Sequence, residues 1–129
     1  MSTDQNKALL NRWVEAWNTH DLEQIDRLAD EIYAADSVYH NPGIADLPVG
    51  PAGVKQLTHS ILTKNPNARL SIDDMIAEGD RVASRWTITQ MGPATGDSHT
   101  TILLAISRFV DGKIAEEWEL VRRLDAPNA

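Results

Sequence analysis

The stretch that decides the fold is Ala105-Ile106-Ser107-Arg108-Phe109-Val110-Asp111-Gly112-Lys113-Ile114-Ala115-Glu116-Glu117-Trp118-Glu119. Two runs of strand pattern meet at Asp111-Gly112, the dipeptide that best accepts the positive φ angles of a two-residue hairpin. The second run carries acidic residues into a strand, where carboxylates are disfavoured by propensity and costly if turned inward without a partner. Either Glu117 and Glu119 face water, or one of them has a chemical task.

Upstream of this hairpin the alternating pattern continues. Leu70, Ile72 and Ile76 mark a strand turned by Glu78-Gly79-Asp80, residues 82–90 alternate as a second, and residues 99–109 and 113–122 form the third and fourth. Gly92-Pro93-Ala94-Thr95-Gly96 reads as a loop. Before Ala68 the period is helical. Leu9, Leu10, Trp13, Val14 and Trp17 form one apolar stripe to about Asn18, with Ser2, Thr3 and Asp4 as candidate caps. Asp21 and Gln24 resemble a capping box ahead of a second helix through Leu22, Ile25, Leu28, Ala29 and Ile32. Residues 36–40 are a short strand stopped by Asn41-Pro42-Gly43, and Val54, Leu57, Ile61 and Leu62 define a third helix closed by Asn65-Pro66. Helices followed by a meander of strands imply an α+β fold: a curved, mainly antiparallel sheet covered by N-terminal helices, with residues 1–129 as a single domain and residues 125–129 a frayed tail.

Composition narrows the function classes. The net charge of −7 disfavours nucleic acid as a partner. No apolar run reaches the roughly 18 residues of a membrane span, and the start carries no signal-peptide pattern, so a cytoplasmic location is expected. There are no cysteines, which excludes disulfides, thiolate metal sites and cysteine nucleophiles.

Both faces of the expected sheet are rather apolar. By alternation, one carries Val82, Trp86, Ile88, Ile102, Leu104, Ile106, Ile114, Trp118 and Leu120, and the other Ala83, Arg85, Thr87, Leu103, Ala105, Glu117, Glu119 and Val121. Three helices cover only one face. A leftover face bearing indoles marks an interface, so a homodimer with Trp86 and Trp118 at the contact is expected. The alternative packs the tryptophan face on the helices and leaves the Arg85–Glu119 face in water.

Several motifs resemble SnoaL-like polyketide cyclases: Trp13, Trp17-Asn18 and Asp21-Leu22; Tyr39-His40-Asn41-Pro42; residues 77–85; and the stretch from Phe109 to Trp118. These proteins share the nuclear-transport-factor-like cone fold with limonene epoxide hydrolases and ketosteroid isomerases. The resemblance covers nearly the whole chain. It implies a cystatin-like cone, or α+β barrel, around a deep apolar pocket, with dimers formed through the outer sheet face. It also implies that Glu119 stands where the cyclases carry a catalytic aspartate, that Arg85 matches the hydrolases' arginine, and that Tyr39 and Asn41 match their water-holding Tyr-x-Asn. The chain departs from the family at Thr87, in place of the second hydrolase aspartate, at Ala105, in place of the cyclase histidine, and at Gln90-Met91-Gly92-Pro93, where many members carry Gly-x-His-x-Gly.

The expected site follows. In an apolar pocket desolvation would raise the Glu119 pKa toward the range useful for acid–base work, while a nearby Arg85 would hold it ionised. The alternative is a structural Glu–Arg pair. Glu117 is a second acid or a rim charge. His99 is a candidate proton carrier or a surface strand end, and His59 is expected in solvent. Trp13, Trp17, Thr87, Leu103 and Ala105 are the expected substrate-binding walls. No cofactor and no metal site is expected. The reading is therefore cofactor-free acid–base catalysis (cyclisation, isomerisation or hydrolysis) on a small hydrophobic carbonyl- or ring-bearing molecule. The alternatives are a non-catalytic binding or accessory domain of the same shape, and an assembly subunit using its tryptophan face for another protein.

Overall fold

The computed structural model describes residues 2–91 and 98–124. The expected loop after Met91 and the expected tail beyond Leu124 lie outside these residues. The elements run α1 (Thr3–Thr19), α2 (Leu22–Ile32), β1 (Tyr33–His40), α3 (Pro51–Lys64), β2 (Arg69–Glu78), β3 (Arg81–Met91), β4 (Ser98–Val110) and β5 (Lys113–Leu124). Each expected helix and strand is present. β1 is longer than expected because it leaves α2 directly, without a linker.

Local chemistry sets the boundaries. Ser2 caps α1 in a reciprocal box: its Oγ accepts from the Gln5 amide at 3.1 Å and its own amide donates to Gln5 Oε1 at 2.9 Å. His20 ends α1 in the left-handed region at φ 60°. Asp21 caps α2 by accepting from the Glu23 and Gln24 amides. At the decisive hairpin, Asp111 and Gly112 adopt φ 50° and 79°, and Val110 pairs with Lys113 across them. That is the primed turn whose twist matches the flanking strands.

The five strands form one open sheet in the order β1-β5-β4-β3-β2. It does not close into the barrel named above, since β1 and β2 are its edges. Only the β1–β5 pair is parallel. The helices lie on one face, and the core between the layers gathers Leu10, Trp13, Trp17, Ile25, Ile32 and Ile114. Asn18 ties α1 to the edge strand by imitating a strand neighbour. Its amide donates to the Leu70 carbonyl and its Oδ1 accepts the Leu70 amide, both at 2.8 Å. His20 Nε2 lies 2.6 Å from the Ala68 carbonyl oxygen.

Register corrects the expected division of the sheet faces. Directly paired antiparallel residues share a face. Trp86 pairs with Leu103 and Arg85 with Leu104, so β3 is turned over relative to the expectation. Trp86 is buried under the helices, away from any outer contact, while Arg85 and Thr87 point outward. A bulge between Ile114 and Glu116 adds a further flip. It sends Ile114 inward while Trp118 stays outside.

α3 approaches β1 closely. A Cβ at Gly50, which has φ 80°, would stand 2.3 Å from the Ala35 carbonyl oxygen, so glycine is required there by both space and backbone. Lys55–Asp30 at 2.8 Å and His59–Asp26 at 2.7 Å hold α3 to α2. The latter pair corrects the expectation that His59 is simply solvated. Among the described residues no helix is long and apolar enough to cross a membrane.

Candidate functional site

Strand alternation places Glu117 and Glu119 on the buried face of β5. Ser107 on β4 and Tyr39 on β1 stand directly opposite Glu117, and Ala105 stands opposite Glu119. Glu117, Glu119, Tyr39 and Ala105 open on a cavity of about 80 Å³ beneath the helices. Trp13 and Trp17 from α1, Val54, Leu57 and Ile61 from α3, and Trp86 from β3 complete its apolar wall. Trp13 meets Tyr33 edge-on, with ring centroids 6.0 Å apart. The Trp86 indole is satisfied within its own strand, donating to Ser84 Oγ at 2.6 Å.

Each carboxyl has hydroxyl donors. Glu117, almost wholly buried, accepts from Tyr33 Oη at 3.1 Å and from Ser107 Oγ at 2.5 Å. Glu119 accepts from Tyr39 Oη at 2.6 Å, and Asn41 Nδ2 donates to that same phenol oxygen at 3.2 Å. Burial pushes the Glu119 pKa up to about 7, with the charge of Glu117 acting in the same direction and the Tyr39 hydrogen bond opposing both. Burial also raises Glu117, against the Ser107 and Tyr33 hydrogen bonds. The two phenols stay protonated, their pKa values raised by burial and the neighbouring carboxyls. The arrangement is a carboxyl able to gain or lose a proton near neutrality, inside an aromatic hollow, with a second carboxyl two residues away on the same face.

Of the expected site residues, Glu119, Glu117, Tyr39, Trp13, Trp17, Leu103 and Ala105 line this cavity, and Asn41 touches it through Tyr39. Arg85 does not. It lies on the opposite face, 3.6 Å from Asp73, and Thr87 donates its hydroxyl to the same carboxylate. The expected Arg85–Glu119 pair therefore does not form, because the β3 register turns the guanidinium away. His99 sits at the exposed end of β4, 2.9 Å from Arg123, and is not among the lining residues. Glu117 is no rim charge: it is the more deeply buried of the two acids. Tyr33, Ser107 and Trp86 escaped the sequence reading as site residues. A hydroxyl leaves no periodic signal, and only the register shows which strand neighbour faces a carboxyl. Among the described residues no group of three or more His, Asp or Glu converges as metal ligands would.

The outer face is different in kind. Ile76, Leu104, Ile106 and Leu120 are exposed there, around a groove of about 660 Å³ whose lining also includes Arg85 and Glu119. Trp118 stacks on His40 with centroids 5.4 Å apart, and the Arg81 guanidinium lies over the same indole, 5.6 Å from its centroid. His40 and Arg108 both reach Glu116, at 2.7 and 3.2 Å.

The sequence matches the SnoaL-like polyketide cyclase family over residues 7–126. Among solved structures it is similar to a proposed hydroxylase from Streptomyces galilaeus, with 31% identity over 94% of this chain and 81% of that one, and a TM-score of 0.76. A proposed polyketide cyclase from Streptomyces antibioticus is 27% identical over 91% of each chain, again with a TM-score of 0.76. A proposed isomerase of the SnoaL-like family from Agrobacterium tumefaciens shares the fold at 18% identity, covering 92% of this chain and 98% of that one with a TM-score of 0.73. No functionally curated protein matches significantly.

The raised carboxyls give a signed pH dependence. The folded protein holds these protons more tightly than the unfolded chain does. Their contribution is therefore complete below the ordinary carboxylate range and is lost as pH rises. For Glu119 the window runs from 4.5 to about 7 and is worth about 3 kcal/mol. Chemical denaturation between pH 4.5 and 8 will show stability falling across this window, and Glu119→Gln will flatten the fall. Wild-type stability that rises or stays level over that range would contradict the burial of an uncompensated carboxyl.

Proposed function

Starting from the chain's membership of the SnoaL-like polyketide cyclase family, we propose that it transfers protons on a hydrophobic carbonyl- or ring-bearing substrate without a cofactor, as a cyclase or isomerase. The observation that carries this reading is the Glu119 carboxyl, hydrogen-bonded to Tyr39 at 2.6 Å inside the apolar cavity, where burial pushes its pKa up to about 7. A base works best when its pKa lies near the operating pH. Ionised Glu119 takes a proton from carbon beside a carbonyl, and the electron pair moves to the carbonyl oxygen. Tyr39, steadied by Asn41, transfers its hydrogen bond from the carboxyl to that oxygen as Glu119 becomes neutral. Glu119 then returns the proton to a different carbon for isomerisation, or to the new alkoxide after ring closure. The hydrolase alternative loses support, since Arg85 and Thr87 face away from the cavity.

The outer sheet face supports a second proposal, a homodimer through that face. Exposed Ile76, Leu104, Ile106 and Leu120 make a contiguous apolar surface that one copy alone leaves in water. Asp74 and Arg85 both border the groove, so a two-fold contact can set one protomer's acid against its partner's guanidinium. Trp118 belongs to this surface and Trp86 does not.

Two measurements test these readings. Deuterium exchange at the carbon beside the carbonyl of 2-butanone, followed by proton NMR, will be accelerated by the protein. Glu119→Gln will reduce the acceleration by roughly 10²–10⁴-fold and Tyr39→Phe by less. A wild-type rate no faster than buffer, or one unchanged by Glu119→Gln, would remove the proposed base. Sedimentation velocity at low micromolar concentration will show a dimer that Leu104→Glu converts to a monomer. A monomeric wild type would exclude the dimer.

A further inference from the structure

Among the described residues, the cavity lining holds two carboxyls and no cationic side chain. None of the 12 Lys and Arg or the four His is among its lining residues. Residues 92–97 and 125–129, outside the described structure, include no Lys, Arg or His. Three of the chain's cations have acidic partners elsewhere: Arg85 with Asp73, Arg108 with Glu116 and Lys55 with Asp30. Burial favours the protonated form of both acids; a cation brought in by a ligand would stabilise the ionised form of the one that it meets.

The walls favour the same sign. Trp13, Trp17 and Trp86 bring indoles to the cavity, and Tyr33 and Tyr39 bring phenol rings. Aromatic faces are negative and attract cations, tryptophan most of all. The volume of about 80 Å³ is roughly half that of a void that takes up benzene, so it takes a compact head group and leaves any ring of the substrate outside it.

We infer that the ligand of this site carries a protonated amine, seated against Glu117 and the indoles beside the atoms on which Glu119 acts. This rests on the reading of the cavity as a proton-transfer site and names the chemical class that it admits. Each Glu117 oxygen takes one hydroxyl hydrogen bond, from Tyr33 or Ser107, and keeps a lone pair for an ammonium N–H. The two acids then divide the work: Glu117 is the counter-ion and Glu119 the proton acceptor. The ammonium is chemically unchanged by the reaction. It offsets the negative charge that develops on the substrate oxygen when Glu119 removes the carbon-bound proton, a charge no side chain lining the cavity neutralises.

The test uses three probes of similar size and different charge: n-butylamine, 2-butanone and butyrate. Binding to the intact chain is followed at pH 8 through the indole NMR signals of Trp13, Trp17 and Trp86. The protonated amine will bind at least tenfold more tightly than 2-butanone, and butyrate more weakly than either. Glu117→Gln, a near-isosteric change, will bring the amine and the ketone within about threefold of each other. Equal wild-type affinities for amine and ketone, or a preference that survives Glu117→Gln, would overturn the inference. If the Glu119-dependent exchange on 2-butanone persists alongside that result, the proton-transfer reading stands and only the amine class falls. If none of the three probes moves an indole signal, the amine inference falls.

Discussion

Two glutamates on the buried face of one strand constrain everything else in this molecule. A carboxyl under a helical layer is tolerated only when its oxygens find donors and its proton is free to stay. Each strand beside β5 meets that demand: Ser107 comes from β4, and Tyr33 and Tyr39 come from β1. The parallel pairing of β1 with β5, alone among the strand pairs, brings both phenols to the acids. The primed turn at Asp111-Gly112 and the bulge after Ile114 set which residues of β5 face inward. The site is thus built into the register of the sheet.

The helical layer closes the hollow and is itself fastened by polar contacts at its margins. Asn18 joins α1 to the edge strand through both of its amide atoms, which holds Trp13 and Trp17 over the cavity. α3 enters close against β1 because Gly50 has no side chain, and it is tied to α2 by the Lys55–Asp30 ion pair and the His59–Asp26 hydrogen bond. The apolar walls come from helices and the acids from the sheet. The hollow therefore has an apolar roof and a protic floor, the environment in which a neutral carboxylic acid and a carboxylate are close in energy.

Much of this was legible in the sequence, because helical and strand periods are local signals. The three helices, the meander of strands and the Asp-Gly hairpin follow from spacing alone. So does the conflict of a carboxylate in a strand, which the structure resolves by burying Glu117 and Glu119 against hydroxyl donors. Tyr39 and Asn41 were found through the family resemblance. The error at Arg85, Thr87 and Trp86 has one cause. Alternation tells which residues of a strand share a face, but not which face of the neighbouring strand they join, and a one-residue change of phase exchanges all of them. The bulge near Ala115 is invisible for the same reason, since an extra residue in a strand reads as one more member of the run. Glu117 looked like a rim charge because its compensation comes from hydroxyls at Tyr33 and Ser107, far off in sequence. Without the guanidinium beside it, the Glu119 carboxyl is not held ionised and keeps its proton to a higher pH.

The central claim is that Glu119 ionises in a buried hollow with no cation beside it. The most direct measurement is its side-chain titration by carbon NMR with labelled glutamate, assigned by comparison with Glu119→Gln. The account predicts a midpoint near 7. A midpoint at or below the ordinary 4.5 would mean that water or a positive charge reaches that carboxyl, and would contradict it.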